Sequence, residues 1–178
     1  MRIDDLLTEI PHAERHAIRV EAPAHVVYPL ARHLDFNESW ITRTLFRLRG
    51  LPAEDLRLDA MLGARDEPGF AVLDERPGEE FVIGALSRGL RPLAVGDAAG
   101  FPTRGEAPGL RIVWNFHLAP DTDGCEVTTI TRVQCMGTTT RWLFGAYWLV
   151  VGPFSGWIRR EMLRLLKKQA EATGPAPA

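Results

Sequence analysis

The chain has 178 residues, with 21 Lys+Arg against 23 Asp+Glu, a formal net charge of -2, 46% apolar and 25% charged residues. These values exclude a disordered tail, a collagen and a disulfide scaffold, and the near-neutral charge speaks against a protein whose main task is binding nucleic acid. The length suits one domain with a core large enough to leave room for a cavity.

Residues 12–22 read as the first strand, because Ile18 and Val20 alternate with Arg19 and Glu21. Pro23 opens a helix whose apolar face is Val26, Val27, Leu30 and Leu34. His25 and His33 fall on its solvent side. A loop over 35–39 leads to a second helix built on Ile41, Leu45, Phe46 and Leu48, stopped by Gly50 and Pro52. Phe70–Glu75 and Glu80–Leu86 read as a hairpin around Arg76-Pro77-Gly78-Glu79. An irregular Gly- and Pro-rich segment, 88–110, holds a short edge strand near Phe101. Two strands follow, Arg111–Leu118 and Glu126–Cys135, joined by residues 120–124. A long helix then runs from about Thr138 to Glu171, bent at Gly152-Pro153.

Cys125 and Cys135 lie on one extended strand, about 33 Å apart at 3.3 Å per residue. A disulfide needs Cα atoms within about 7 Å, so two free buried thiols and a reducing compartment are expected. The start, MRIDDLLTEI, carries acids and no apolar run of signal-peptide length. A cytoplasmic location is the expectation. Residues 1–11 read as an N-terminal extension, 12–172 as a single domain and 173–178 as a flexible tail. Trp142 to Ile158 carries no charge, at the lower limit of a spanning helix, but Gly145, Gly152, Pro153 and Gly156 interrupt it. A buried, kinked helix is the reading, with a transient membrane contact as the alternative.

The last strands have two faces. Arg111, Asn115, His117, Glu126, Thr128, Arg132 and Gln134 give a wet one. Ile112, Trp114, Phe116, Leu118, Val127, Thr129, Thr131 and Val133 give a dry one. The only large apolar element left to cover the dry face is the last helix, through Phe144, Tyr147, Val151, Phe154, Ile158, Met162 and Leu165. The expected fold class is α+β: a curved antiparallel sheet wrapped around a long C-terminal helix, with two short helices after the first strand. Space between sheet and helix suits an apolar ligand.

Four segments, WITRTLFRLRGLP, IVWNFHL, EVTTITRV and VVGPFSGWIRREMLRLLKKQAE, in this order, resemble the START-like helix-grip proteins, the SRPBCC superfamily. Within it the chain is similar to bacterial members described as polyketide cyclase/dehydrase-like. The resemblance covers most of residues 12–171 and implies the helix-grip fold and its pocket. Relatives often carry an acidic residue where this chain has Ile130, and an aromatic is common where Ser87–Pro92 is opened by glycine. No catalytic residue is carried over, because fold does not fix reaction.

Motif chemistry is otherwise thin. His12 and His16 stand about 13 Å apart on a strand, too far to share a zinc. Asp121-Thr122-Asp123-Gly124 begins like a calcium loop, but its twelfth position is Arg132 where a bidentate Glu is required. Gly152-Pro153-Phe154-Ser155-Gly156 is not a nucleophile elbow. No metal and no cofactor are expected. The expected pocket wall is Phe81, Ile83, Trp114, Phe116, Thr129, Thr131, Tyr147, Val151, Phe154 and Ile158, with His16 and Arg88 as polar groups and Arg91 flanking the irregular segment. The leading functional expectation is a carrier or sensor of a small hydrophobic molecule such as a lipid, isoprenoid or aromatic polyketide. A cyclase or dehydratase would need an acid/base pair converging in the cavity, drawn from His16, Tyr147 and Arg88. A partner-binding module would show a filled core and an exposed apolar patch. Monomer and homodimer both remain open, and a nucleic-acid partner is not expected.

Overall fold

Two thirteen-residue strands, Gly109–Asp121 (β5) and Gly124–Met136 (β6), form the spine of the structure. Their alternating apolar residues pair in register across a turn of two residues, Thr122 and Asp123. Gly124, which closes the turn, lies against the Val20 carbonyl oxygen, where a Cβ would stand only 2.1 Å away. The structure is a computed structural model and describes residues 1–7, 12–38, 43–44, 56–89 and 91–173.

The spine is flanked by His12–Val20 (β1) on one side and by Phe70–Arg76 (β2) and Glu80–Arg88 (β3) on the other. The strand order is β1-β6-β5-β3-β2, with the short Arg91–Leu93 (β4) also on β3. Every neighbouring pair is antiparallel. The helices are Ala24–Arg32 (α1), the single turn Leu58–Met61 (α2) and Thr138–Thr173 (α3), the last continuing unbroken through Pro153. This is the α+β helix-grip order expected from the sequence. The expected helix around Ile41, Leu45, Phe46 and Leu48 lies outside the described residues. The expected strand at Phe101 is a 3-10 turn, Phe101–Thr103, and the edge strand is β4 instead.

One face of the sheet packs Phe81, Ile83, Phe116, Leu118 and Val127 against α1, Leu58 and the C-terminal half of α3, through Met162, Leu163 and Leu166. The opposite face, expected wet, is covered as well. Val82, Val113, Ile130 and Leu73 meet Phe101 and the N-terminal residues Ile3, Leu6 and Leu7. Val113 and Ile130 sit between the polar residues of that face and make its centre apolar. Asn115 is fully buried there: its Nδ2 donates to Glu80 Oε1 at 2.6 Å and its Oδ1 accepts from the Ile130 amide at 2.8 Å. The Arg2 amide donates to the other Glu80 oxygen at 2.9 Å. Arg132 ties the same N-terminal turn to the sheet through the Ile3 carbonyl and the Asp4 carboxylate, and that hydrogen bond holds Asp4 below the usual carboxylate range. Replacing Asn115 by Ala strands a buried carboxylate oxygen and a buried amide together. A loss of about 2–4 kcal/mol is expected in urea unfolding; a loss below about 1 kcal/mol would show that the two groups find other partners.

Cys125 and Cys135 stand near the two ends of β6 as buried free thiols, and burial pushes both thiols up. The stretch Trp142–Ile158 is not buried as expected. Trp142 is 78%, Leu143 68%, Leu149 82% and Val150 66% exposed. This half of α3 holds the sheet through a smaller cluster, in which Phe144 and Trp148 pack on Val133, Cys135 and the His12 ring.

Candidate functional site

Strand register sets the site. Glu14 pairs with Thr131 and Thr131 with Trp114, while His16 pairs with Thr129 in the adjacent row. Residues two apart on a strand share a face, so these five side chains lie together on the face that α3 crosses. α3 crosses it closely because its inward residues there are Gly152 and Gly156, both buried. A Cβ added at Gly156 would meet His16 Nε2 at 3.4 Å and Glu14 Oε2 at 3.7 Å.

Two clefts open on either side of this crossing. One, about 280 Å³, is lined by Glu14, Arg15, His16, Gly152, Pro153, Gly156 and Arg160. The other, about 70 Å³, is lined by Phe36, Met61, Trp114, Ile158, Arg159 and Met162. Between them lies a row of buried polar atoms that no hydrogen bond from the described residues satisfies: Glu14 Oε2, His16 Nε2, Thr129 Oγ1, Thr131 Oγ1 and Trp114 Nε1. Glu14 Oε2 and His16 Nε2 are 3.8 Å apart, an ion-pair distance that makes no hydrogen bond. The Arg159 guanidinium, itself buried, lies 3.9 Å from the centroid of the Trp114 ring in a cation–π contact, with Phe70 stacked against Trp114 at 6.0 Å.

An unmade bond at each such buried atom costs about 1–3 kcal/mol. Native proteins seldom keep several of these together without a partner. A second polar cluster shows the contrast. The Tyr28 hydroxyl donates to Glu75 Oε1 at 2.6 Å and Arg32 Nε donates to the same oxygen at 2.9 Å. Burial opposes ionisation of Glu75, yet these two bonds hold it below the usual carboxylate range; burial and the Glu75 bond push Tyr28 upward. Its bonds are made within the chain, which is what a structural cluster requires.

Burial pushes the His16 imidazole below its ordinary 6.5; Glu14 works the other way, and Arg160 and Arg159 add to the lowering. The folded protein therefore holds the ring neutral at a pH where the unfolded chain already takes up a proton. The stability this brings is full above the unfolded value and is lost as pH falls through the folded one. The urea midpoint should drop as pH is lowered from about 7 toward about 5, and His16→Gln should flatten that part of the curve. Equal slopes for the two proteins would mean that His16 charges freely.

The structure distributes the sequence-derived candidates unevenly. His16, Trp114, Thr129, Thr131 and Ile158 meet at the seam between sheet and α3. Phe81, Ile83 and Phe116 lie deeper, packed without exposure in the core. Tyr147 and Phe154 do not face inward; they are 42% and 43% exposed, and Val151 is only half-buried. The phase of α3 is the reason. Phe144 and Met162 of the expected series are buried, but between them the inward line runs through Trp148, Gly152, Gly156 and Arg159, beside Tyr147, Val151, Phe154 and Ile158 instead of through them. Arg88 ends β3 in the open, 3.9 Å from Glu106, and is not part of the seam. Glu14, Arg159 and Gly156 were missed. Glu14 has the strand parity of His16, a signal present in the sequence; Arg159 and Gly156 carry none in hydropathy. Among the described residues no three His, Cys, Asp or Glu side chains gather as metal ligands would.

No family model matches the chain, and none of the curated proteins matches it. Solved structures do. The chain is similar to protein CV1439 from Chromobacterium violaceum, 17% identical, covering 91% of this chain and 99% of that one, with a TM-score of 0.43. It is similar to protein MLL2253 from Mesorhizobium loti, 14% identical, covering 92% and 100%, with a TM-score of 0.46. It is also similar to the AHSA1-like protein RHE_CH02687 from Rhizobium etli, 16% identical, covering 96% and 89%, with a TM-score of 0.43. Likeness at this level gives no residue of this chain a role, and the functional reading rests on the seam.

Proposed function

We propose that the seam between the β1/β6/β5 face and α3 binds a compact, oxygen-bearing small molecule with a short apolar part. The observation that carries this reading is the row of buried polar atoms on Glu14, His16, Thr129, Thr131 and Trp114 that no described residue hydrogen-bonds. The two Thr hydroxyls and the Trp114 indole N–H offer donors, a neutral His16 offers a donor or an acceptor, and Arg159 and Arg160 outnumber Glu14. This balance favours a carbonyl, phenol or carboxylate oxygen over an amine. The apolar part rests on Met61, Ile158 and Met162.

The two clefts together reach only the lower end of the roughly 300–1,000 Å³ that small-molecule sites occupy. A long acyl chain is not enclosed by the 70 Å³ apolar cleft. Within the classes expected from the sequence, an oxygenated aromatic or a short isoprenoid fits better than a long-chain lipid.

A second reading, acid/base catalysis on the bound molecule, draws support from one feature: Glu14 and His16 converge at 3.8 Å in the larger cleft. Tyr147 and Arg88 have no place in it.

Nitrogen–proton NMR of the Trp114 indole, assigned with Trp114→Phe, tests the binding reading. Adding a small-molecule extract of the host cells should shift this resonance and slow its exchange with water. An indole signal unmoved by the extract, in a protein already free of co-purified ligand, would overturn it.

A further inference from the structure

The inward series of α3 has an outward counterpart. Trp142, Ala146, Leu149, Val150, Pro153 and Trp157 recur at steps of three and four residues, share one face, and are all exposed. The helix holds no acidic residue before Glu161. The same face continues past Trp157 into Arg160, Arg164 and Lys168, which are exposed too. One side of a single helix is therefore apolar for its first half and cationic for its second.

We propose that this face docks α3 onto the surface of a bilayer that contains anionic lipid. The order of residues matches that environment. Trp142 and Trp157 stand about 22 Å apart along the helix at 1.5 Å per residue, with aliphatic side chains between them. Indoles favour the headgroup layer, aliphatic groups the acyl boundary beneath it, and Arg and Lys the phosphates above. Among the described residues no helix is long and apolar enough to cross a membrane, so the helix lies on the surface. Charge complementarity selects the occupant. Glu161 lies 3.7 Å from Arg164, and the other acid of the helix, Glu171, pairs with Lys167. Anionic headgroups satisfy such a cationic run; a second copy of this face brings the same cations and no acidic patch to meet them.

Docking needs no ligand in the seam, although the two sites share α3 and meet at Pro153 and Arg160. Gly152 and Gly156 roof the seam from one side of α3, Pro153 and Arg160 stand at the rim shared by the larger cleft and the docking face, and Trp157 is exposed beyond them. A lipophilic ligand would then have a short path from the bilayer to the seam.

Co-sedimentation of the full chain with vesicles tests docking without any ligand. The protein should bind vesicles of phosphatidylcholine mixed with phosphatidylglycerol, bind pure phosphatidylcholine far less, and lose binding as salt rises. Trp emission should move to the blue on binding. Leu149→Gln with Trp142→Gln should lower the partition coefficient about tenfold or more, and Arg164→Gln about fivefold. These side chains are exposed, so the melting temperature should not move, which separates lost docking from lost folding. Absence of binding to the mixed vesicles, or equal binding by the double variant, overturns the proposal. So does a dimer in analytical ultracentrifugation that Leu149→Gln converts to monomer in a protein that ignores vesicles, because the face would then serve self-association.

Discussion

Phe81→Ala should lower stability by about 3–5 kcal/mol, the cost of truncating a fully packed aromatic and leaving a cavity behind. Phe81 has no exposure. Its ring stacks on Phe116 at 5.0 Å, meets Tyr28 edge-on at 5.8 Å, and lies 5.2 Å below the Arg32 guanidinium. The prediction separates two pictures of the interior. Were Phe81 the wall of an open apolar cavity, truncation would widen existing space and forfeit few contacts. In the packed interior it removes contacts with α1 and the neighbouring strand at once. Urea unfolding at constant slope measures the difference. A loss under about 1 kcal/mol would restore the picture of a large apolar chamber.

Joint replacement of Thr129 and Thr131 by Val should act in the opposite direction on stability and abolish ligand binding. Valine has the shape of threonine and suits a strand at least as well. Each substitution removes a buried hydroxyl that no described residue satisfies, 1% and 6% exposed for Thr129 and Thr131. The ligand-free protein should gain about 1 kcal/mol per site, while a bound oxygen loses two partners. Stability up and binding down is a combination that a purely structural threonine pair does not give. Destabilisation by more than about 1 kcal/mol would show that the hydroxyls already have partners inside the protein.

Much of this arrangement is legible in the sequence. The β5 and β6 strands, the β2/β3 hairpin at Pro77-Gly78 and the length of α3 follow from alternation, turn residues and an apolar helical run. The same alternation places His16, Trp114, Thr129 and Thr131 on one face. The phase of α3 was not legible. From Trp142 to Ile158 apolar residues occur on every side, so helical periodicity selects no inward face. Gly152 and Gly156 select it by letting the helix approach Glu14 and His16, and hydropathy scores glycine as neutral. Tyr147 and Phe154 were therefore expected inside and stand outside. The back of the sheet misled for a related reason. Asn115 and Arg111 read as wet, while Val113 and Ile130 between them receive the N-terminal Ile3, Leu6 and Leu7. A polar residue bonded inside a core looks in sequence like one facing water.

Native mass spectrometry of the full chain purified from its own cells tests the seam most directly, with wild type and the Thr129→Val, Thr131→Val protein measured side by side. The wild type is expected to carry a non-covalent adduct of one small, oxygen-containing molecule that the double variant lacks although it is folded and at least as stable. Identical spectra for the two proteins, with no adduct on either and with the variant the less stable, would contradict the account.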